Sequence, residues 1–279
     1  MENANVWFVT GVSSGFGYEL AEQLLAAGKT VVGTVRDTKK VEGLIADYPD
    51  TFDCRILDVT DVPIVREVVD GAFKRHGRID VIVSNAGYGL FGAAEELSDA
   101  DIDKVIATNL IGPIALVRAA LPHLRAQGGG RIIQISSYGG QVAFAANSLY
   151  HATKFGVEGF CESVAQEVAK FGIGVTIVEP GGARTEFRYG SAHVANLMPE
   201  YDHVHGFLAM LDKSRGLAPG DPARMAARII ESVEIEPAPL RQIYGSQALA
   251  ATIERLEERV ADYRTQTALA ASTDFPQGE

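Results

Sequence analysis

Val6-Trp7-Phe8-Val9-Thr10-Gly11-Val12-Ser13-Ser14-Gly15-Phe16-Gly17 decides the reading of this chain. Residues Val6 to Thr10 are of strand type and run straight into a loop holding Gly11, Gly15 and Gly17, after which helical spacing continues to Ala27. Glycines let a backbone turn tightly and approach a ligand closely. A helix N-terminus adds free N–H groups and the positive end of its dipole, a combination suited to a diphosphate. The spacing is G-x3-G-x-G and not the common G-x-G-x-x-G, and a plain strand-to-helix turn is the alternative reading of such a loop.

Outward from this loop the same alternation repeats. Short runs rich in Val, Ile and Thr recur at Thr30 to Arg36, Thr51 to Asp58, Ile79 to Ser84, Arg131 to Ser136, Gly174 to Glu179 and Leu240 to Tyr244. Helical spacing lies between and after them, at Asp61 to His76, Ser98 to Arg125, Tyr150 to Phe171, Pro222 to Val233 and Ser246 to Tyr263. Alternating strand and helix implies right-handed crossovers, so the expected fold class is α/β: a three-layer doubly wound fold with a seven-stranded parallel sheet. Residues 1–279 read as a single domain. Within it, 181–220 lacks a strand pattern and is expected to be a substrate-binding loop or lid, and 264–279 a flexible tail. Phe187, Tyr189, Leu197, Met198, Tyr201, Phe207, Leu208, Met210 and Leu211 make that loop too apolar for water, so it is expected either to close over a hydrophobic substrate or to pack on the protein.

Composition excludes several classes. Lys plus Arg number 25 against 36 Asp plus Glu, a net charge of −11 without basic clusters, which argues against nucleic acid as a partner. A hydrophobic content of 47% with 22% charged residues is that of a globular protein. Cys54 and Cys161 stand far apart, so neither a disulfide framework nor a cysteine metal site is expected, and His193, His203 and His205 in an irregular loop do not make one. No metal is expected. The start MENANVWFVTG carries Glu2 and no basic segment, and charges break the apolar runs, so no secretory signal, no membrane association and a cytoplasmic location are expected.

The second strand ends in Val35-Arg36-Asp37, where a carboxylate suits the ribose hydroxyls of NAD and an arginine suits the 2′-phosphate of NADP. Neighbouring strand residues face opposite ways, so spacing leaves both open. Further on, Tyr150-His151-Ala152-Thr153-Lys154 sets a phenol and an ammonium on one face of a helix, one turn apart. Ser137 lies thirteen residues upstream at a strand end, Asn109 sits in the preceding helix, and Asn85-Ala86-Gly87 follows the fourth strand.

Taken together, these residues resemble the short-chain dehydrogenase/reductase family, in its single-domain branch with a TGxxxGxG loop. The match runs in order over about residues 5 to 245 through Thr10 to Gly17, Asp58-Val59, Asn85-Ala86-Gly87, Asn109, Ile135-Ser136-Ser137, Tyr150 with Lys154, and Pro180-Gly181 followed by Thr185. The resemblance implies a Rossmann fold and an oxidoreductase that moves the pro-S hydride between a nicotinamide cofactor and a small-molecule carbonyl or alcohol. In it, Tyr150 is the general acid/base, Lys154 its electrostatic partner and ribose ligand, Ser137 the donor to the substrate oxygen, and Asn109 the holder of a relay water. Ser137 is preferred to Ser136 because thirteen residues is the family's usual gap to the tyrosine. The cofactor would lie on Gly11, Ser13, Ser14, Gly15, Phe16 and Gly17, with Asp58 and Val59 against adenine. Asn85, Ala86 and Gly87 would line its middle, Tyr150 and Lys154 its ribose, and Pro180, Gly181 and Thr185 its carboxamide.

Val35 stands where the family's NAD users carry an acid and Arg36 where NADP users carry an arginine. NADP(H) is therefore favoured, with Ser13 and Arg36 on the 2′-phosphate; NAD(H) stays possible through Asp37. Ser84 replaces the family's first Asn in Asn-Asn-Ala-Gly. The mostly apolar helices Ile102 to Leu124 and Tyr150 to Phe171 correspond to the family's dimer face, so a homodimer or homotetramer is expected. A silent sensor or scaffold keeping the fold is the alternative from another class. A free tyrosine titrates near 10, and bringing it down by about 3 units asks for roughly 4 kcal/mol in favour of the phenolate, which a neighbouring ammonium and an oxidised nicotinamide ring can supply.

Overall fold

In a computed structural model of the chain, residues 5–189, 192–213 and 218–275 are described. The first elements are β1 (Val6–Thr10), α1 (Gly15–Ala26), β2 (Thr30–Val35), α2 (Glu42–Asp47), β3 (Phe52–Ile56), α3 (Val62–His76), β4 (Val81–Ser84), β5 (Leu90–Phe91), α4 (Asp99–Ile106) and α5 (Gly112–Ala126). There follow β6 (Gly130–Ile135), α6 (Ser148–Val168), β7 (Ile173–Pro180), α7 (Glu186–Tyr189), β8 (His193–Val194), α8 (Asp202–Lys213), α9 (Pro222–Ser232), β9 (Arg241–Tyr244), α10 (Ser246–Thr265) and α11 (Thr267–Ala271).

Seven strands form one parallel sheet in the order β3-β2-β1-β4-β6-β7-β9. Strand side chains alternate between two helical layers. Phe8, Val32, Ile82, Ile132 and Ile177 face Val65 and Val69 of α3, Leu116 and Ala120 of α5, and Val157 and Val164 of α6. Trp7, Val9, Val31, Val83, Ile133 and Val178 face Leu20 and Leu24 of α1 and Ala226 and Ile229 of α9. Full burial of each such aliphatic side chain contributes about 1.5–3 kcal/mol. The chain winds one way from β1 through β3 and the other way from β4 onward. Parallel sheets of this kind open a crevice at the carboxyl ends of their strands, here between β1 and β4.

The expected three-layer parallel fold is the one observed, with local differences. β2 stops at Val35 and β3 at Ile56, because Asp37 caps a short turn by accepting from Lys39 N (3.1 Å) and Asp58 folds onto Thr60 N (3.0 Å) and Thr60 Oγ1 (2.7 Å). The helix expected over Ser98 to Arg125 is divided by one wide π turn at Ala107–Ile111. By length and composition alone, Asp99–Ala126 holds an 18-residue window apolar enough to cross a membrane, with a mean hydropathy of 1.6; its Leu116, Ala120 and Leu124 are buried in the core.

Residues 181–220 are more ordered than their composition suggests. β8 pairs in parallel with β5, Leu90 opposite His193 and Phe91 opposite Val194, and α8 follows. A strand of two exposed residues has no alternation to read. At the other end, α10 and α11 carry helix to Ala271, past the expected fraying. The side chains of Tyr189, Phe207, Met210 and Leu211, and residues 190–191, 214–217 and 276–279, lie outside the described ones.

Candidate active site

The crevice is a cleft of about 660 Å³. One end is built by the β1–α1 loop. Gly11 and Gly15 take φ of +73° and +56°, conformations that favour glycine. A Cβ on Gly17 would run into the Gly11 carbonyl oxygen and the Asn85 amide, so no larger residue fits there. Asn85 Nδ2 donates to the carbonyls of Thr10 (2.9 Å) and Gly11 (3.1 Å), while Thr10 Oγ1 accepts from Asn85 N (2.9 Å) and Ala86 N (3.1 Å). The loops after β1 and β4 are thereby locked together across the crevice. Ser14 at the helix start makes no side-chain capping bond, and the first turn of α1 holds no acid. Its leading N–H groups therefore suit an anion.

Ser13, Arg36, Lys40 and Asp58 line the same end of the cleft. Asp37 does not line it; its carboxylate is the cap of the following turn. Burial favours the neutral form of Asp58, yet the Thr60 hydrogen bonds and the Arg36 charge outweigh it and hold the carboxyl below its usual range. Lys40 escaped the sequence reading because it sits on an irregular turn with no periodicity.

Tyr150 and Ser137 line the other half of the cleft. Lys154 is buried, with Nζ 3.0 Å from the Ile135 carbonyl and 5.7 Å from the centre of the Tyr150 ring. Burial pulls the Lys154 ammonium down to about 8, against the opposing charge of Glu158. Ser137 Oγ accepts from Gly139 N at 3.0 Å, which leaves its proton available to donate. Ser136 also borders the cleft, but its hydroxyl donates to Glu158 Oε1 at 2.6 Å. Gly181 N donates to the Tyr244 carbonyl (2.8 Å), and the Thr185 side chain stands against Gly15, so the segment after β7 closes the cleft over the glycine loop.

Asn109 lies behind this surface. It is buried in the π turn, its Oδ1 accepting from Tyr88 N (3.1 Å) and its Nδ2 donating to Tyr88 O (2.8 Å). Oδ1 and Nδ2 thus both bond the Tyr88 backbone and hold the segment after Gly87. His151 also escaped the sequence reading. Its Nδ1–H donates to Gly139 O (2.7 Å) and its Nε2 accepts from Phe144 N (3.3 Å); burial lowers its pKa, partly offset by the Gly139 carbonyl. It ties the loop after Ser137 to α6, next to Tyr150 in sequence, and this adjacency was the signal available.

Beyond Tyr150 the walls are aromatic: Phe91, Tyr138, Phe144 and Phe187, the last with its ring 5.8 Å from that of Tyr150. The loop histidines serve as anchors. His205 Nε2 is 2.7 Å from Glu96 and His193 Nε2 is 3.1 Å from Asp101. Among the described residues no group of three His, Cys, Asp or Glu side chains is placed to hold a metal.

An anion cradle at a sheet's switch point, sharing one cleft with a paired phenol and ammonium, defines the class: a dinucleotide-dependent oxidoreductase of the Rossmann type. Comparison with known proteins carries this to the family. The short chain dehydrogenase model matches residues 5–193, and the chain belongs to the short-chain dehydrogenase/reductase family and is an oxidoreductase of it. It is 35% identical over 246 residues to an oxidoreductase (BOA17) of Botryotinia fuckeliana, covering 88% of this chain and 90% of that one. The crystal structure of a short-chain dehydrogenase from Streptomyces avermitilis is 41% identical, with a TM-score of 0.92 over 98% of this chain and all of that one (100%). ElxO with NADP bound is 27% identical, with a TM-score of 0.73 over 89% of this chain and 100% of that one.

Proposed function

We propose that the protein interconverts a carbonyl and an alcohol by hydride transfer with NADP(H), Tyr150 being the general acid/base. The observation that carries this reading is the placement of Tyr150, Lys154 and Ser137 on one cleft wall, opposite a glycine cradle that only glycine can form. A nicotinamide held there by the glycine loop would supply the hydride chemistry. In reduction Tyr150 gives its proton to the substrate oxygen, and in oxidation it takes one back. Ser137 donates to the same oxygen. The Lys154 ammonium favours the phenolate electrostatically. Asn109 acts as a positioning residue, holding the Tyr88 segment at the cleft rim.

The preference for NADP(H) is supported by Arg36, Lys40 and Ser13 at the adenosine end and by the engagement of Asp37 elsewhere. Phe91, Phe144 and Phe187 line the cleft, and Phe187 stands beside the Tyr150 ring. That lining fits an uncharged, largely apolar carbonyl compound. Tyr150→Phe tests the mechanism: kcat is expected to fall by about 10²–10⁴-fold, while fluorescence titration still shows NADPH binding. Turnover close to that of the parent would exclude Tyr150 as the proton donor.

A further inference from the structure

Beneath the catalytic wall lies a buried cluster of charges. Glu158 follows Lys154 by one turn of α6 and is 1% exposed. Its Oε1 accepts from Ser136 Oγ (2.6 Å); its Oε2 accepts from Gln141 Nε2 and from Arg241 Nη1 (2.5 Å). Arg241 Nη1 also donates to Glu179 Oε1 (2.5 Å), and Arg241 Nη2 lies 2.9 Å from Glu162. Gly140 makes the room, since a Cβ there would run into the Glu158 carboxylate. Each member belongs to a segment with a task in the cleft. Ser136 and Gln141 flank Ser137 and its loop, Glu158 shares a helix face with Tyr150 and Lys154, and Glu179 precedes Pro180 and Gly181. Arg241, from the last strand, joins them.

The charges of the buried part balance: Glu158 and Glu179 against Arg241 and Lys154. Glu162, on the solvent side, is partly exposed. Cys161, one turn from Glu158, stays neutral, its thiol pushed up to about 12 by burial and by the Glu158 charge. Burial and the charge of Glu158 push the Glu179 carboxyl up, while Arg241 opposes both. A buried charge is costly unless a partner compensates it, and Lys154 donates to a neutral carbonyl, so Glu158 is the compensating carboxylate one turn away.

We propose that Glu158, aligned by Arg241, is a positioning residue that holds the Ser137 loop on α6 and balances the charge of Lys154. This rests on the reading of Tyr150 and Lys154 as the proton-handling pair. Removing the carboxylate charge disfavours the protonated forms of both, so the alkaline limb of carbonyl reduction moves to lower pH. Removing the guanidinium charge moves it the other way. A cluster that only braces the fold lowers activity in both variants without opposed shifts.

The test compares the parent with Glu158→Gln, Arg241→Gln and Arg241→Lys, each first checked for a cooperative thermal transition. In cofactor-free protein carrying ¹³C at the lysine ε-carbons, NMR titration follows the signal of Lys154, whose ammonium burial pulls down to about 8. Its midpoint is expected to fall by about one pH unit in Glu158→Gln and to rise in Arg241→Gln, with Arg241→Lys closest to the parent. The alkaline limb of NADPH-dependent reduction of an aryl ketone is expected to move in the same two directions. Midpoints that stay put, or move the same way in both variants, overturn the proposal. A lysine that responds as expected in a parent protein that reduces no carbonyl supports Glu158 as its counter-charge and overturns the reductase reading instead.

Discussion

Arg36 and Asp37 are adjacent in the chain and opposite in consequence. The strand ends at Val35, the Asp37 carboxylate bends back to cap the next turn, and Arg36 is left on the cleft wall. One charge-assisted bond from a guanidinium to a phosphate contributes about 1.5–3 kcal/mol. Arg36→Ala is therefore expected to weaken NADPH binding by about 10–100-fold while NADH binding changes little, as read by nucleotide fluorescence titration. Equal loss for both cofactors would mean that Arg36 does not read the 2′-phosphate. The same single-residue resolution separates Ser136 from Ser137: one hydroxyl donates to Glu158 and the other accepts from Gly139 N.

Among elements, the segment from β8 to α8 is tied to the rim by a row of acids. Tyr201 OH donates to Glu95 (2.6 Å), Met198 N and His205 Nε2 meet Glu96 Oε1 (2.6 and 2.7 Å), and His193 pairs with Asp101 (3.1 Å). Leu197 stays 46% exposed, so the apolar content of this segment is not all spent on closure. Burial favours the neutral form of Glu96, but donors from Met198, Ala93 and His205 outweigh it and hold the carboxyl below its usual range. A depressed carboxyl contributes its tie above the ordinary glutamate value of about 4.3 and loses it as pH falls below that. Amide protection over 192–205, taken relative to the intrinsic exchange rate at each pH, is expected to fall as the pH drops below about 4 and, in Glu96→Gln, to be low already at neutral pH. The variant's KM for the carbonyl substrate should rise several-fold with NADPH affinity retained. Unchanged exchange in Glu96→Gln would show that β5–β8 pairing suffices to hold the segment.

As a molecule in solution, the protein is expected to assemble with itself. Ile111 at the π turn and Phe155 on α6 are 42% and 37% exposed on the helices that the sequence marked as too apolar for a solvent face. A stable interface buries about 800 Å² per partner. Sedimentation velocity is expected to return two or four times the chain mass of 29.8 kDa, and Phe155→Glu to shift the protein toward the single chain. A parent protein that sediments as one chain at micromolar concentration would remove the assembly from the account.

The layers of the fold were legible because they rest on local periodicity: buried parallel strands are short runs of Val, Ile and Thr that alternate with helical spacing. Tyr150 and Lys154 lie one helical turn apart, a spacing that drew notice only together with Ser137, Asn109 and Asn85-Ala86-Gly87 and the family resemblance they carry. Tertiary structure alone decided which of two adjacent charges enters the cleft, that the Asn109 amide bonds the Tyr88 backbone, and how the histidines of the 181–220 loop find Glu96 and Asp101. It also brought Arg241 to Glu158, 83 residues away in the chain. Those contacts join segments distant in sequence through irregular turns, where neither a period of 2 nor one of 3.6 fixes the direction of a side chain.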